Sequence, residues 1–585
     1  MKLTSALLLA AAAMLPGAAL ANSDEDQGPA AAAQANAPLP TILTAAQRNA
    51  YRDIFAAIRA QDWAGAAAKI DGMDEGPLHN AARARLYLAP NSPRIELPPL
   101  LSLLQRAPEM PQAEQIARLA RTRGAIDLPA LPTANRFATQ PGQPRRSRPR
   151  PIEKDEVSQA LETLIQPLIV QDQPAAAEAL LLERGTELAA DVRTEFQQRT
   201  AWSHYLVGND AAARGLADQA RLGQGEWVIH AEWTFALAAW RQGDCAAAGA
   251  AFANVGARST DQELSAAGHY WASRADMACR HPERVQARLR SAARMGETFY
   301  GMLAARALGL RASTIPGSGS LARADWHAVT DERNVRTALA LIEVGEREEA
   351  DTYLRHQARL GNPREHEALI RLAERLNLTG TQMWLAYNAP RGTAVDPLAR
   401  YPLPDWRPPR GFRVDRALVF GHALQESIFR PSVVSPAGAV GLMQVRPGTA
   451  SDVARWRGES SAGINLADPG TNLEFGQSYL EYLRDLPSTN GLMPKVMAAY
   501  NAGPAPIAEW NNRGFDRGDP LLYIESIPYW ETRGYLPIVF RNYWVYEQRI
   551  GQSGSSRAAL VQGLWPRYPG LQGPNAIRIE PPGRR

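Results

Sequence analysis

The chain has 585 residues, which at roughly 150 per domain predicts three or four domains rather than one continuous core. Hydrophobic residues make up 45% and charged residues 21%, an ordinary globular mix that excludes a disordered or fibrous chain. Sixty-four basic against 60 acidic side chains leave a net charge of +4, which argues against a general nucleic-acid or polyanion binder. Two cysteines exclude a disulfide scaffold, and no Cys/His spacing reads as a zinc site, so neither a metal nor a cofactor is expected.

In chain order, Lys2 precedes an apolar run over residues 7–15, followed by Pro16, Gly17 and Ala19-Leu20-Ala21. A charged start, a short apolar run and an A-x-A site read as a signal peptide, 1–21, cleaved after Ala21. With no twin-arginine pair the export route is Sec-type, and the predicted location is the periplasm. No cysteine follows for lipidation, and no later segment offers 18 apolar residues. In such an oxidising space Cys245 and Cys279 can pair, or they can be two small buried residues on separate helices; the sequence leaves both open. Residues 22–40 are polar and proline-containing and read as a linker.

From 41 to 390 good helix formers dominate and strand-like alternation is scarce, which predicts an α-superhelical domain. One phrase recurs there: Gln61-Asp62-Trp63-Ala64, Gln171-Asp172-Gln173-Pro174, Gly208-Asn209-Asp210-Ala211 and Gln242-Gly243-Asp244-Cys245, with a looser copy at Gly345-Glu346. A Gly closes one helix, an Asp or Asn caps the next, and small residues follow. Asp172, Asp210 and Asp244 lie 38 and 34 residues apart, the period of helix-turn-helix solenoids. A basic, proline-rich loop, 129–151, interrupts the pattern. It reads as a solvated, flexible insertion, or else as a contact for an anionic surface such as a membrane or an acidic polymer. Residues 391–410 form an extended linker, 411–552 a second domain and 553–585 a C-terminal tail.

The second domain carries the chemistry. Val414, Ala417, Leu418, Gly421 and Leu424 recur at helical spacing, Asp415 opens the helix and Pro431 bars its continuation. A helix therefore ends near Gln425-Glu426-Ser427. Glu426 lies about 120° round the helix from Val414, on the flank of the apolar stripe. At the negative end of a helix and beside Phe429, its carboxyl is discouraged from ionising, which suits a general acid. A small-residue turn, Ser435-Pro436-Ala437-Gly438-Ala439-Val440-Gly441-Leu442-Met443-Gln444, follows. Then come a helix with Leu473, Gly476, Leu480 and Leu483 on one face, Ala499-Tyr500-Asn501-Ala502-Gly503, and finally Ile527-Pro528 with Glu531-Thr532-Arg533-Gly534-Tyr535.

This ordered set over residues ~410–550 resembles the soluble lytic murein transglycosylases. Thr298-Phe299-Tyr300-Gly301 and Tyr270-Trp271 look like that family's helical superhelix. The resemblance implies an all-α chain: a long superhelix followed by a lysozyme-like catalytic domain. It implies cleavage of the β-1,4 bond between N-acetylmuramic acid and N-acetylglucosamine without water, leaving 1,6-anhydromuramoyl ends. The partners would be peptidoglycan glycan strands and their peptide stems, not nucleic acid. Glu426 would act as acid and then as base. Ser427 would position the glutamate turn or bind sugar. Gly441, Leu442, Met443 and Gln444 would line the cleft, with the glycine allowing close approach of the sugar chain. Tyr500 would bring its hydroxyl near the glutamate, while Asn501 binds sugar or caps the helix. Glu531 and Arg533 would hold the cleft wall, read the peptide stem, or pair with each other as a buried ion pair. Arg446 departs from the family's apolar or small residue. Two alternatives stand beside this reading. A lysozyme-type hydrolase would need a second carboxylate, for which Asp452, Asp468 and Glu531 are candidates. A non-catalytic wall-binding scaffold would not need Glu426.

Overall fold

The computed structural model describes residues 40–310, 326, 329–514, 516–552 and 554–580; the predicted leader and most of the first linker lie outside them. Helices dominate the described residues, which hold two short two-stranded sheets. No helix among them is long and apolar enough to cross a membrane.

Between Ala45–Arg59 and Thr379–Tyr387 most of the described helices follow one another through short turns, the 129–151 loop apart, and the recurring phrase is such a turn. Gly208, Gly243 and Gly345 sit at φ +85°, +81° and +92°, where a side chain would strain the backbone. Asp62, Asn209 and Asp244 each accept a hydrogen bond from the backbone N–H three residues on. Two copies depart from the pattern. Asp172 itself takes the left-handed conformation, φ +57°, and Pro174 starts the next helix. Glu346 makes no cap bond and instead pairs with Arg59 and Arg85. Since a cap carboxylate contributes about 1 kcal/mol, Asp244→Ala is expected to lower unfolding stability by about that much in a urea titration, with the fold retained. Cys245 and Cys279 form a disulfide, with Cα atoms 5.6 Å apart, fastening the start of one helix to the end of the next.

Two of the three cores among the described residues position the rest, the third being a small one around Leu161, Ile165 and Phe196. In one, Tyr51, Phe55, Leu100 and Leu104 pack with Leu339, Leu354 and Leu372, and Arg48 pairs with Glu343 at 3.1 Å. The first and last helices of the superhelix thus share one interior, and its path closes on itself. The other core runs from helices between 201 and 304 directly into the C-terminal domain; Phe299 stacks on Trp544 with centroids 5.2 Å apart. Burial of that aromatic interface fixes the second domain on the superhelix.

Two sequence expectations need correction. The loop 129–151 is not a solvated insertion. Phe137–Thr139 pairs antiparallel with Asn388–Pro390. Arg146 makes a two-point contact with buried Glu525, at 2.6 and 3.1 Å. Arg400 donates to Pro141 O at 2.7 Å, Arg541 donates to Pro144 O, and Trp227 donates to Arg150 O at 3.0 Å. Proline-rich chain cannot form ladders of its own, so its carbonyls are free to accept from side chains of distant elements. Of the segment read as a tail, 553–585, the described part, 554–580, likewise packs back. It holds helix Ser555–Val561 and a two-stranded ribbon, Trp565–Pro566 with Ala576–Ile577. Trp565 is fully buried and donates to Gly518 O at 2.8 Å, and Leu560 is buried too. Two apolar anchors outweigh the polar, proline-rich remainder. The connector 391–410 is mostly extended, and Arg549 ties it down through the carbonyls of Leu398 and Tyr401.

Candidate active site

The helix Arg416–Ser427 opens with Asp415 capping Ala417 N at 2.9 Å. It ends on Ile428 and Phe429, both left-handed at φ +53° and +54°. That end, followed by Pro431, turns the chain away and leaves Glu426 at the end of a helix whose other faces are buried. The long helix Trp530–Arg549 packs along it and brings Tyr535 opposite. The Tyr535 hydroxyl donates to Glu426 Oε1 at 2.6 Å. Burial pushes the Glu426 carboxyl up to about 7; the Tyr535 hydrogen bond pulls it down, and the nearby negative charge of Glu531 pushes it up again. Burial is the largest of the three, so at neutral pH this carboxyl is poised to give a proton or to take one.

The small-residue turn shapes the wall beside it. The buried Ser427 hydroxyl donates to Leu442 O at 2.8 Å, so this serine positions the turn and is shut off from a ligand. Gly441 is needed for packing inside the protein. Its φ is +78°, and a Cβ there would stand 2.3 Å from Asn472 Nδ2 and 2.4 Å from Leu466 O. Asn472 stitches this turn together: its amide donates to Val440 O and Leu466 O, both at 2.8 Å, and accepts from Met443 N at 2.8 Å. Leu442 and Met443 are fully buried, Met443 lying over Gly476. Their side chains support the wall from behind, and the surface they offer is backbone. Gln444, half-buried at φ +49°, turns its amide onto Gly441 O at 3.0 Å.

Tyr500 sends its hydroxyl to Met443 O at 2.7 Å rather than to the glutamate, although the Glu426 charge is close enough to raise its pKa further. Its ring meets His422 at 4.9 Å. His422 is fully buried, donates Nδ1–H to Leu418 O at 2.9 Å, and is held neutral by burial, its pKa pushed down to about 4. Asn501 accepts from the Thr532 hydroxyl at 2.6 Å, tying two helices together. Glu531 is exposed within electrostatic reach of Glu426. Arg533 is buried on the opposite side of the same helix: it donates to Ile527 O at 2.8 Å and lies over the rings of Trp202 and Trp530. The expected Glu531–Arg533 ion pair does not form, because residues two apart on a helix point to different faces.

Of the residues expected at the site, Glu426, Tyr500, Glu531 and the backbone of the 441–444 turn converge. Ser427, Leu442, Met443 and Asn501 stand behind them, and Arg533 faces the superhelix. Sequence reasoning missed Tyr535, His422 and Asn472. Tyr535 sat in a motif already singled out, one helical turn beyond Glu531, but nothing in the spacing said that it meets a glutamate 109 residues away.

A donor to the carboxylate favours the charged form, so Tyr535→Phe is expected to raise the Glu426 pKa. In wild type, activity that needs the protonated acid falls as pH rises through about 7. In the variant that alkaline limb moves up by about one unit, while the maximal rate drops because the carboxyl loses its fixed position. A pH profile of kcat/KM checks both.

A buried glutamate whose carboxyl is raised toward neutrality sits on a helical domain seated on a closed α-superhelix, an arrangement suited to acid–base chemistry. Residues 409–521 match the family model described as the transglycosylase SLT domain, and the chain carries that domain. Over 156 residues it is 37% identical to the soluble lytic murein transglycosylase of Escherichia coli, covering 26% of this chain and 24% of the relative. The enzyme of the same description from Salmonella typhimurium is 35% identical over 164 residues, 27% of this chain and 24% of the relative. The aligned part thus spans about a quarter of the curated relatives' length. Among solved structures, the 70 kDa soluble lytic transglycosylase of E. coli superposes with a TM-score of 0.58 at 18% identity, covering 90% of this chain and 100% of that one. An inactive glutamate-to-glutamine mutant of a lytic transglycosylase from Pseudomonas aeruginosa gives 0.51 at 20% identity, covering 86% of each. The fold, superhelix included, is that of these enzymes.

Proposed function

We propose that this chain cleaves the β-1,4 bond between N-acetylmuramic acid and N-acetylglucosamine in peptidoglycan without water. The protonated Glu426 gives its proton to the glycosidic oxygen as the bond to C1 breaks. The carboxylate then takes the proton of the C6 hydroxyl as that oxygen attacks C1, closing a 1,6-anhydro ring and returning Glu426 to its starting state. The substrate's N-acetyl group shares the positive charge at C1. The carrying observation is the Glu426 carboxyl at about 7, held by Tyr535; one group of that affinity serves both proton transfers. The glutamate-to-glutamine mutant among the structural neighbours is described as inactive, which supports an essential glutamate on this fold.

One observation favours hydrolysis instead: Glu531 carries a negative charge within reach of Glu426. Asp468 is a helix cap for Thr471, and Asp452 pairs with Arg455 at 3.0 Å. The test is mass spectrometry of peptidoglycan digested by wild type and by Glu426→Gln. Products one water lighter than hydrolysed fragments, from wild type alone, support the proposal. Full-mass reducing ends would make this a hydrolase, and no products from either protein would make it a wall-binding scaffold.

The place of action we infer is the periplasm. The leader-like start of the sequence and the Cys245–Cys279 disulfide, which persists in oxidising compartments, both support export.

A further inference from the structure

His422 stands one turn before Glu426 on the helix Arg416–Ser427, and the proton transfers proposed above do not use it. It is fully buried. Its Nδ1–H donates to Leu418 O at 2.9 Å, which fixes the tautomer and the plane of the ring. Nε2 is then a bare lone pair, and among the described residues it accepts no hydrogen bond. Burying an acceptor without a donor is costly. An aliphatic side chain would fill the same space without that cost, so the imidazole has to be explained by what its ring touches.

Two tyrosine rings lie against it. Tyr500, from the helix Met493–Ala502, meets it edge to face with centroids 4.9 Å apart. Tyr535, from the helix Trp530–Arg549, meets it at 6.2 Å with the planes 59° apart. The two tyrosine hydroxyls end on different parts of the cleft. That of Tyr500 donates to Met443 O of the wall at 2.7 Å, and that of Tyr535 donates to Glu426 Oε1 at 2.6 Å. One buried ring therefore spaces the wall from the acid. Aromatic contacts have preferred geometries, and a ring whose own plane is fixed passes that geometry to its neighbours. A leucine in its place has no plane to pass on.

The titratable groups around this set are Tyr500 and Tyr535, with Tyr479 of the helix Pro469–Asp485 5.6 Å behind Tyr500, and Glu426 with Glu531 near it. None of these is a cation, and burial keeps the imidazole itself neutral. The Tyr535 hydrogen bond is the one interaction in the set that draws the Glu426 pKa down.

We propose that His422 is a positioning residue for the proton transfers of Glu426: its fixed ring sets Tyr535 against the carboxyl and Tyr500 against the wall, and so determines both where the carboxyl stands and how readily it ionises. This rests on the reading of Glu426 as acid and base given above.

The test uses the full-length protein with His422→Leu, which removes the flat ring, and with His422→Phe, which keeps a ring without nitrogens. Thermal melts confirm that each is folded. A slackened Tyr535 bond favours the carboxylate less, so in His422→Leu the alkaline limb of the kcat/KM profile is expected to move up by about half a unit. Its kcat is expected to fall about tenfold, part of the effect of a positioned acid, with KM on glycan strands little changed. His422→Phe should lie between leucine and wild type. In a Tyr535→Phe background His422→Leu should move the limb no further, because the path to the carboxyl is already cut. If the leucine variant melts below assay temperature, the same comparison with Tyr535→Phe is made in His422→Phe. An unmoved limb, a phenylalanine variant no better than the leucine one, or shifts that add in the double variant overturns the proposal. The Glu426 titration is also read without turnover, as the difference in proton uptake between each protein and its Glu426→Gln form. A shift there with no cleavage by any protein would keep the coupling of His422 to Glu426 and strike the enzymatic reading. Cleavage with no shift by either readout would strike the coupling and keep the enzyme.

Discussion

Glu426→Gln is expected to lower kcat on glycan strands by about a thousandfold or more, with KM little changed. Each proton transfer by a positioned acid or base contributes about 10²–10⁴-fold, and this carboxyl would serve in two. Glutamine keeps the shape and can still meet the Tyr535 hydroxyl, so the cleft should still hold substrate. Loss of fold is not an alternative explanation. A carboxyl whose pKa is raised on folding, to about 7, disfavours the folded state once pH climbs above its unfolded value, and the cost is complete above the folded one. At pH 8 the glutamine variant should therefore melt no lower than wild type, and at pH 4 the two should coincide more closely. A variant that loses activity and also melts early at pH 8 would contradict this account.

The second large effect is structural. Glu525 is 1% exposed and accepts from both terminal nitrogens of Arg146 and from the Tyr300 hydroxyl. Three parts of the chain meet there: the 129–151 strap, the superhelix and the catalytic domain. Removing one member of a buried pair leaves the other charge uncompensated, which costs about 3–5 kcal/mol. Glu525→Ala is expected to destabilise the protein by that amount in denaturant titration. The same principle predicts partial rescue: Arg146→Met combined with Glu525→Ala should be less destabilised than the sum of the single changes, because no lone charge remains. Additive effects would mean that the two side chains do not act as a pair.

How much of this was legible in the sequence depends on the range of the interactions. The end of the glutamate helix was readable because its signals are local, with Asp415 at one end and Pro431 beyond the other. The superhelical turns were readable for the same reason, and three of five recurring acidic or amide positions cap as expected. The strap and the C-terminal segment were misread because composition weighs residues by kind. It sees prolines and arginines at 129–151, but not that Arg146 meets an acid 379 residues away. It sees a polar end to the chain, but not that Trp565 has a place in the core. Within the site, Gly441 was assigned to the substrate because a glycine's freedom says nothing about which neighbour comes close, and here the neighbour is Asn472. Tyr535 carries no role until the helix Trp530–Arg549 is seen to pack along the glutamate helix.

The central claim is that the bond is cut without water, and solvent isotope tests it most directly. Wild-type enzyme would digest purified peptidoglycan in water enriched in heavy oxygen, with the products weighed after desalting. An intramolecular C6 oxygen closing on C1 predicts products that carry no solvent oxygen. One heavy oxygen at each new reducing end would contradict the account and make Glu531 the carboxylate to examine next.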